Sequence, residues 1–457
     1  MQAILERLYA RRRFGMRPGL AAMDSLMARL GHPERELLTI HVAGTNGKGS
    51  VVALAAAVLQ AAGFGRVGRY TSPHLLCFNE RICIDGRPVD DDRLAPVLEA
   101  VEAAALAVGQ AGTTGEPTFF ECATAAAFEM FRREQIRLAV IETGLGGRLD
   151  ATNVLLPVVS VITRIGLEHC EHLGHTLEEV AREKAGIVKP GRPVVTGAME
   201  EEALDVIAAV ARQQGAPWIR GDECVTVAAR KTGFDGIEAT VATSQRDLGK
   251  VRTQLTGHFQ LENLATAVAA VETFGQVAGL PIPDAAFTTG LAEACWPGRF
   301  QVVRRQPIVI VDGAHNPDAA RSLKAALRQT RFAGPVALVA GFCDDKDIVA
   351  FMRILASRVR RGWAVTTPSA RTRPAAETAE AMRHAGIAVD AAPGLAEALA
   401  AAEAWAEAEH GLVVVCGSLF LAGAALALYG AFPWPVPRHA DPNEQLKTQA
   451  QPSEVKQ

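Results

Sequence analysis

An α/β fold is predicted: a larger N-terminal domain on a mostly parallel sheet with an antiparallel segment, then a smaller Rossmann-like α/β domain. Three observations lead there. Short aliphatic, β-branched runs alternate with Ala/Leu-rich stretches of helical length, the pattern of parallel strands under helical cover. Residues 224–256 break that rhythm with Thr- and Gly-rich polar alternation, which reads as antiparallel hairpins in or beside the main sheet. WPGRF at 296–300 then interrupts the chain, and a second α/β alternation begins, so a boundary is set near 297.

The elements follow in order. LLTIHVAG (37–44) reads as a buried strand and 49–62 as the helix behind it. RLAVIE (137–142) and VVSVIT (158–163) are further buried strands. Helical patterns fill 93–108, 118–134, 176–185, 200–214 and 260–275. Beyond the boundary, PIVIVDGAHN, PVALVAGF, WAVTTP and LVVVCGS supply strands. Domains are expected at 1–297 and 298–432, with the polar residues 433–457 as a disordered tail. The uncharged stretch 411–437 is long enough for a bilayer, which needs about 20 apolar residues. Val413–Val415 and the Gly417–Ser418 punctuation favour the other reading, a buried strand, a turn and a small-residue helix.

Composition excludes several classes. The 457 residues suffice for two or three domains with sizeable cores. With 47 Lys+Arg against 50 Asp+Glu, the net charge of −3 argues against a general nucleic-acid binder. Aromatics at 5% offer little base stacking, and 49% hydrophobic residues exclude disorder over most of the chain. Eight scattered cysteines without a CxxC pair argue against a disulfide framework or zinc ribbon, so a reducing cytoplasm is expected. The N-terminus MQAILERLYARRRFGMRPG has charge throughout and no signal-peptide core.

The strongest local signal is Gly44-Thr45-Asn46-Gly47-Lys48-Gly49-Ser50, between a strand and a helix. Glycines let the backbone wind so that N–H groups face phosphate oxygens. Lys48 can neutralise β/γ-phosphate charge, and the Ser50 hydroxyl can reach Mg²⁺. The match to GxxxxGK[ST] is imperfect, because Gly49 separates the lysine from the hydroxyl. Glu142 ends a buried strand at the ligand-binding edge of an α/β sheet, where a carboxylate suits a hard cation such as Mg²⁺ or caps a helix. Arg299 sits on the linker and can reach across to a triphosphate. Asp312 and His315 follow the strand IVIVD of the second domain. EHCEHLGH (168–175) has three histidines, but i, i+3, i+6 spacing and flanking glycines point to a loop rather than a zinc site.

AGTNGKGS resembles the variant P-loop of the Mur-ligase superfamily of ATP-dependent amide ligases. More narrowly, the chain resembles the folylpolyglutamate synthase/dihydrofolate synthase family. SPHLLCFNERI (72–82), ETGLGGRLDATN (142–153), EKAGI (183–187), WPGRFQ (296–301), DGAHNP (312–317), DKD (345–347) and GSLFLAG (417–423) recur in family order. Peptidoglycan Mur ligases carry a UDP-sugar-binding domain ahead of this loop; the 43 residues before Gly44 leave no room for one, which favours the folate branch.

The resemblance implies residue roles. Ser72 and Glu142 join a first Mg²⁺ and His169 a second, with Glu168 replacing the usual Asp before it. Lys184, otherwise a solvated helix lysine, matches a carbamylated lysine. Asn263 in GHFQLENLATAV, Arg299 and Asp312 contact ATP, and His315 orders that region. Thr118, Phe119 and Phe120, then Leu149, Asp150 and Ala151, match the folate-contacting segments; core packing is the other reading of the two phenylalanines. DKD is left without a role.

The implied reaction is ATP-dependent ligation of L-glutamate to the carboxylate of (tetrahydro)folate through an acyl phosphate. Two Mg²⁺ ions and ATP as co-substrate are implied. Dihydropteroate would be a second substrate, but FGMRPGLAAM (14–23) departs from the DLGLERV-like loop associated with it. A Mur-like ligase for another carboxylate and a non-catalytic nucleotide binder are the rivals. No nucleic-acid or membrane partner is expected, and a monomer is the default.

Overall fold

The computed structural model describes residues 1–11, 19–369 and 372–437. Residues 14–18 of FGMRPGLAAM and 438–457 of the expected tail lie outside the described residues.

Three sheets organise the chain. The first contains β1 Leu38–Ala43, β2 Val67–Tyr70, β3 Ile82–Ile84, β4 Arg87–Pro88, β5 Leu138–Glu142, β6 Val159–Ile162, β7 Val194–Thr196 and β8 Trp218–Arg220. Its order is β4-β3-β2-β5-β1-β6-β7-β8, parallel except for the β2–β3–β4 edge. The second is an antiparallel meander of β9 Val225–Gly233, β10 Gly236–Thr243 and β11 Asp247–Thr253. The third contains β12 Gln301–Arg305, β13 Ile308–Val311, β14 Val336–Ala340, β15 Val359–Ala364, β16 Ala388–Ala391 and β17 Leu412–Cys416. Its order is β12-β13-β17-β14-β15-β16, parallel except for β12. The α/β class and the antiparallel segment are as expected from sequence.

Burial explains the strand compositions. In β5, Leu138 and Val140 pack with the helices Lys48–Ala61 and Phe259–Ala278, while Ala139 and Ile141 face the helices Asp91–Ala111 and Phe119–Arg133. A strand covered on both faces needs apolar residues at every position, which is why RLAVIE carries no polar alternation. The helix Phe119–Arg133 opens with a capping box, Thr118 with Glu121, and closes on Arg132 and Arg133.

The uncharged stretch 411–437 resolves into β17, the Gly417–Ser418 turn and the helix Leu419–Leu428, whose Leu421, Ala422, Ala425 and Leu426 are core residues. The helix Asp91–Ala111 is also long and apolar enough to cross a membrane, and it packs Leu94, Val97 and Val101 into the first core. One local expectation is corrected: 168–175 is not all loop, since Cys170–Leu173 form a single helical turn, with His169 left-handed at φ 52° before it.

Parallel register brings the functional segments together. Val42 pairs with Glu142, Ala43 with Ile162, and Tyr70 with Ile141. The chain therefore leaves β1, β2, β5 and β6 at one carboxyl edge, the usual ligand edge of such sheets.

Candidate active site

The phosphate loop is built by close approach. Gly47 has φ 93°, and a Cβ there would lie 2.3 Å from Asn263 Oδ1. A Cβ on Gly44 would lie 1.8 Å from Thr163 Oγ1. Neither position can hold a side chain in this geometry. Asn263, buried in the first turn of Phe259–Ala278, thus packs directly against the loop and donates to Gln260 Oε1 at 2.8 Å.

The loop's amides divide into two groups. The Thr45 and Asn46 N–H groups donate to Arg164 O, at 2.9 and 3.3 Å. The Thr45 hydroxyl bonds Gly166 O at 2.9 Å. Thr45 and Asn46 therefore shape the loop through their own backbone and hydroxyl bonds. The helix Lys48–Ala61 has no side-chain cap, so the amides of Lys48, Gly49 and Ser50 lack intrahelical acceptors, the arrangement that suits an anion.

Two lysines meet at one oxygen. Lys48 Nζ donates to Gly44 O at 3.0 Å and Thr45 O at 3.1 Å. Lys184 Nζ donates to the same Gly44 O at 2.8 Å. Lys184 is only 4% exposed, so the solvated-lysine reading is overturned. Burial, then the charge of Lys48, pushes its pKa down to about 7. The sequence hides this burial because it comes from the distant GLGG turn, where a Cβ on Gly147 would sit 2.7 Å from Lys184 O.

Glu142 ends β5 with 4% exposure, and its Oε2 accepts from Ser72 N at 3.1 Å. Burial raises its pKa; Lys48, the Ser72 amide, Arg299 and Arg81 oppose that shift. The same Lys48 charge acts on Glu168 and His169, so these groups surround one ammonium. Among the described residues no cluster of three or more His, Cys, Asp or Glu is arranged to hold a metal. What remains is one buried carboxylate with serine hydroxyls near a phosphate-binding helix, a hard-oxygen set that fits Mg²⁺ shared with a polyphosphate.

The acceptor side is more structural than the sequence suggests. Asp150 accepts from Gly144 N, Leu145 N and Thr152 N at 2.8, 2.9 and 3.0 Å, and from the Thr152 hydroxyl at 2.5 Å. That carboxylate anchors the GLGG turn from within the protein. Thr152 also bonds the buried His41 Nε2 at 2.7 Å. The Thr118 hydroxyl accepts from Glu121 N at 3.3 Å as a helix cap. Ala151 belongs to the core and Leu149 is half-buried. Phe119 and Phe120 are half-buried. Phe119 stacks on Tyr9 with centroids 5.4 Å apart, and Phe120 covers Gly144.

The second domain faces this edge. Asp312, just beyond β13, accepts from Phe300 N and Ala314 N, both at 2.7 Å. Its Oδ2 orders the linker at Phe300 and its Oδ1 the turn at Ala314, beside Arg299, whose Nη1 lies against Gly313. His315 Nδ1 bonds Gly313 O at 2.7 Å, and its Nε2 lies 3.7 Å from Glu168 Oε1. Asn316 Nδ2 donates to the same Glu168 oxygen at 3.2 Å. Burial disfavours the Glu168 charge, yet His315 holds this carboxyl below the usual range. His169 lies 3.9 Å from Glu168 and near Lys346 and Asp345, so DKD joins the cleft. Sequence reasoning missed Glu168 as an interdomain contact; no local pattern marks a partner 148 residues away.

Two α/β domains closing over a phosphate-binding loop define an ATP-dependent ligase. The Mur ligase middle domain matches residues 92–271, and the Mur ligase glutamate ligase domain matches 298–419. The dihydrofolate synthase/folylpolyglutamate synthase of Bacillus subtilis (strain 168) is 40% identical over 74% of this chain and 79% of its own length. The Mycobacterium tuberculosis folylpolyglutamate synthase complexed with ADP superposes with TM-score 0.87 at 30% identity, covering 95% of this chain and 99% of that one. A folylpolyglutamate synthase–AMPPCP–folate complex gives TM-score 0.79 at 34% identity, covering 92% and 98%. The chain belongs to the folylpolyglutamate synthase/dihydrofolate synthase family of Mur ligases.

Proposed function

We propose that the protein joins L-glutamate to the terminal carboxylate of a reduced folate, and converts dihydropteroate to dihydrofolate in the same cleft. The observation that carries this reading is the convergence of Lys48, the buried Glu142 and the half-buried Phe119–Phe120 pair on one sheet edge. The solved relatives holding ADP, or AMPPCP with folate, support it.

A carboxylate is a poor acylating agent, so it must be activated. A carboxylate oxygen attacks the γ-phosphorus, the bond to the β-phosphate oxygen breaks, and ADP leaves. The glutamate amine then attacks the acyl carbon of the acyl phosphate, loses a proton, and inorganic phosphate departs. Lys48, the amides of residues 48–50 and Arg299 hold charge on the transferring group. Asn263 borders the nucleotide through Gly47, and Asp312 and His315 set the linker that carries Arg299. Glu142, Ser50 and Ser72 would hold one Mg²⁺ and His169 a second; bound Mg²⁺ screens the triphosphate. Thr118, Phe119, Phe120 and Leu149–Ala151 form the wall for the acceptor's rings.

Lys184 is proposed to be carbamylated. Its amine is half neutral near pH 7 and so able to attack CO₂, forming an N–C bond and releasing one proton. The resulting anion would relieve the crowding of two ammonium groups at Gly44 O. All eight cysteines are unpaired, which supports a cytoplasmic location, and a monomer is taken as the working form. The domain division at 297/298 is part of the same reading.

The test is mass spectrometry of products from ATP, Mg²⁺ and L-glutamate with either 7,8-dihydropteroate or monoglutamyl tetrahydrofolate. A glutamate increment on both supports bifunctionality. An increment on folate alone removes the dihydropteroate step. No increment on either, with ADP formed on another carboxylate, overturns the folate reading. ATP binding without ADP formation on any acceptor makes the protein a binder.

A further inference from the structure

We infer that Arg81 is the receptor for the acceptor's reacting carboxylate, a role that rests on the folate-ligase reading above. Arg81 closes the turn Phe78–Arg81 ahead of β3 and is 5% exposed. A buried guanidinium ordinarily sits against a carboxylate, because an unpaired buried charge is costly. Among the described residues Arg81 has no such partner. Its Nε donates to His74 Nδ1 at 3.0 Å, and among the described residues its two Nη groups make no hydrogen bond. The neighbouring carboxylate, Glu80, is turned away and accepts from the Leu75, Leu76 and Cys77 amides at 2.7–2.9 Å.

The guanidinium is nevertheless held in place. Its carbon lies 5.8 Å from the Phe78 ring centroid and 5.4 Å from that of Phe119. His74, which takes the Nε bond, meets Phe420 of the second domain with centroids 6.4 Å apart. Arg81 also lies within electrostatic reach of Glu142. It therefore stands between the aromatic entry at Phe119 and the acidic end of β5. In the proposed reaction the acceptor follows that line, rings at Phe119 and terminal carboxylate beside Glu142 and Lys48. A carboxylate arriving there meets a fixed fork of N–H donors, the geometry in which Arg binds carboxylate best. Arg69, also buried and with an unpartnered Nε, is set apart from that line: its Nη2 donates to Cys83 Sγ and its guanidinium lies over Trp296, which packs on the phosphate-loop helix.

The test is calorimetric titration of AMPPCP-loaded protein with monoglutamyl tetrahydrofolate and with its terminal carboxamide. Wild type is expected to prefer the acid by about tenfold to a hundredfold. R81Q is expected to lose that preference while binding AMPPCP and the carboxamide as before. An R81Q protein that keeps the wild-type preference overturns the assignment. If R81Q fails to bind AMPPCP, and so has not folded, R81K decides: a preference within about twofold of wild type overturns the assignment, because a point charge lacks the fork. Wild type that binds neither ligand overturns the folate reading itself, a result distinct from equal preferences in wild type and variant.

Discussion

Two lysine Nζ groups share the Gly44 carbonyl, and that crowding makes Lys184 the most telling residue of the site. Unfolded, Lys184 titrates near the model-peptide value of 10.5; folded, near 7. Between those values the unfolded chain holds a proton that the native protein lacks, so stability rises with pH across this window. The melting temperature of wild type should therefore climb relative to that of K184M between pH 7 and about 9; parallel curves would sink the assignment. The same neutral amine is open to CO₂, and ¹³C spectra under labelled CO₂ should gain a carbamate line that K184M lacks. The role proposed for Lys48 is different, charge placed on the transferring phosphoryl group. K48A should lower kcat about 10²–10³-fold with an ordinary melting curve, and near-normal turnover would remove its role.

At the scale of elements, the GLGG turn depends on one carboxylate. Asp150 ties two turn amides to Thr152 and, through it, to His41 in β1. D150N should cost about 1–3 kcal/mol in urea unfolding, since the turn amides then face a poorer acceptor, and should raise the acceptor KM. Unchanged stability with a raised KM would point instead to the direct substrate contact that the sequence suggested. Legibility followed burial. Strands β1, β5, β6, β13, β14 and β17 are covered on both faces and read as continuous β-branched runs. The three-residue β7 and β8, and the edge strands β12 and β16, carry too little pattern to be seen and are defined by pairing alone. The internal bonds of Asp150 and Thr118 were not legible, because a turn-anchoring carboxylate and a capping hydroxyl show no partner in the local sequence.

At the scale of the molecule, Glu168 clasps the second domain through His315 and Asn316. E168A should loosen the two domains, giving a larger radius of gyration in solution scattering and a severalfold higher KM for ATP. Unchanged scattering and KM would make the clasp incidental. The family motifs announced both domains, yet not which side chains join them. The join is made by residues far apart in the chain, and its geometry is set by packing rather than by any local spacing.

Trp296 lies where these two halves meet, with its ring 2.2 Å from the position of a Cβ on Gly49 and Arg69 5.4 Å from its centroid. Indole fluorescence answers to nearby charge, so the protein carries its own optical gauge beside the nucleotide. Adding AMPPCP should shift the emission of wild type and leave that of W296F still, which would let nucleotide occupancy be followed in real time without a label.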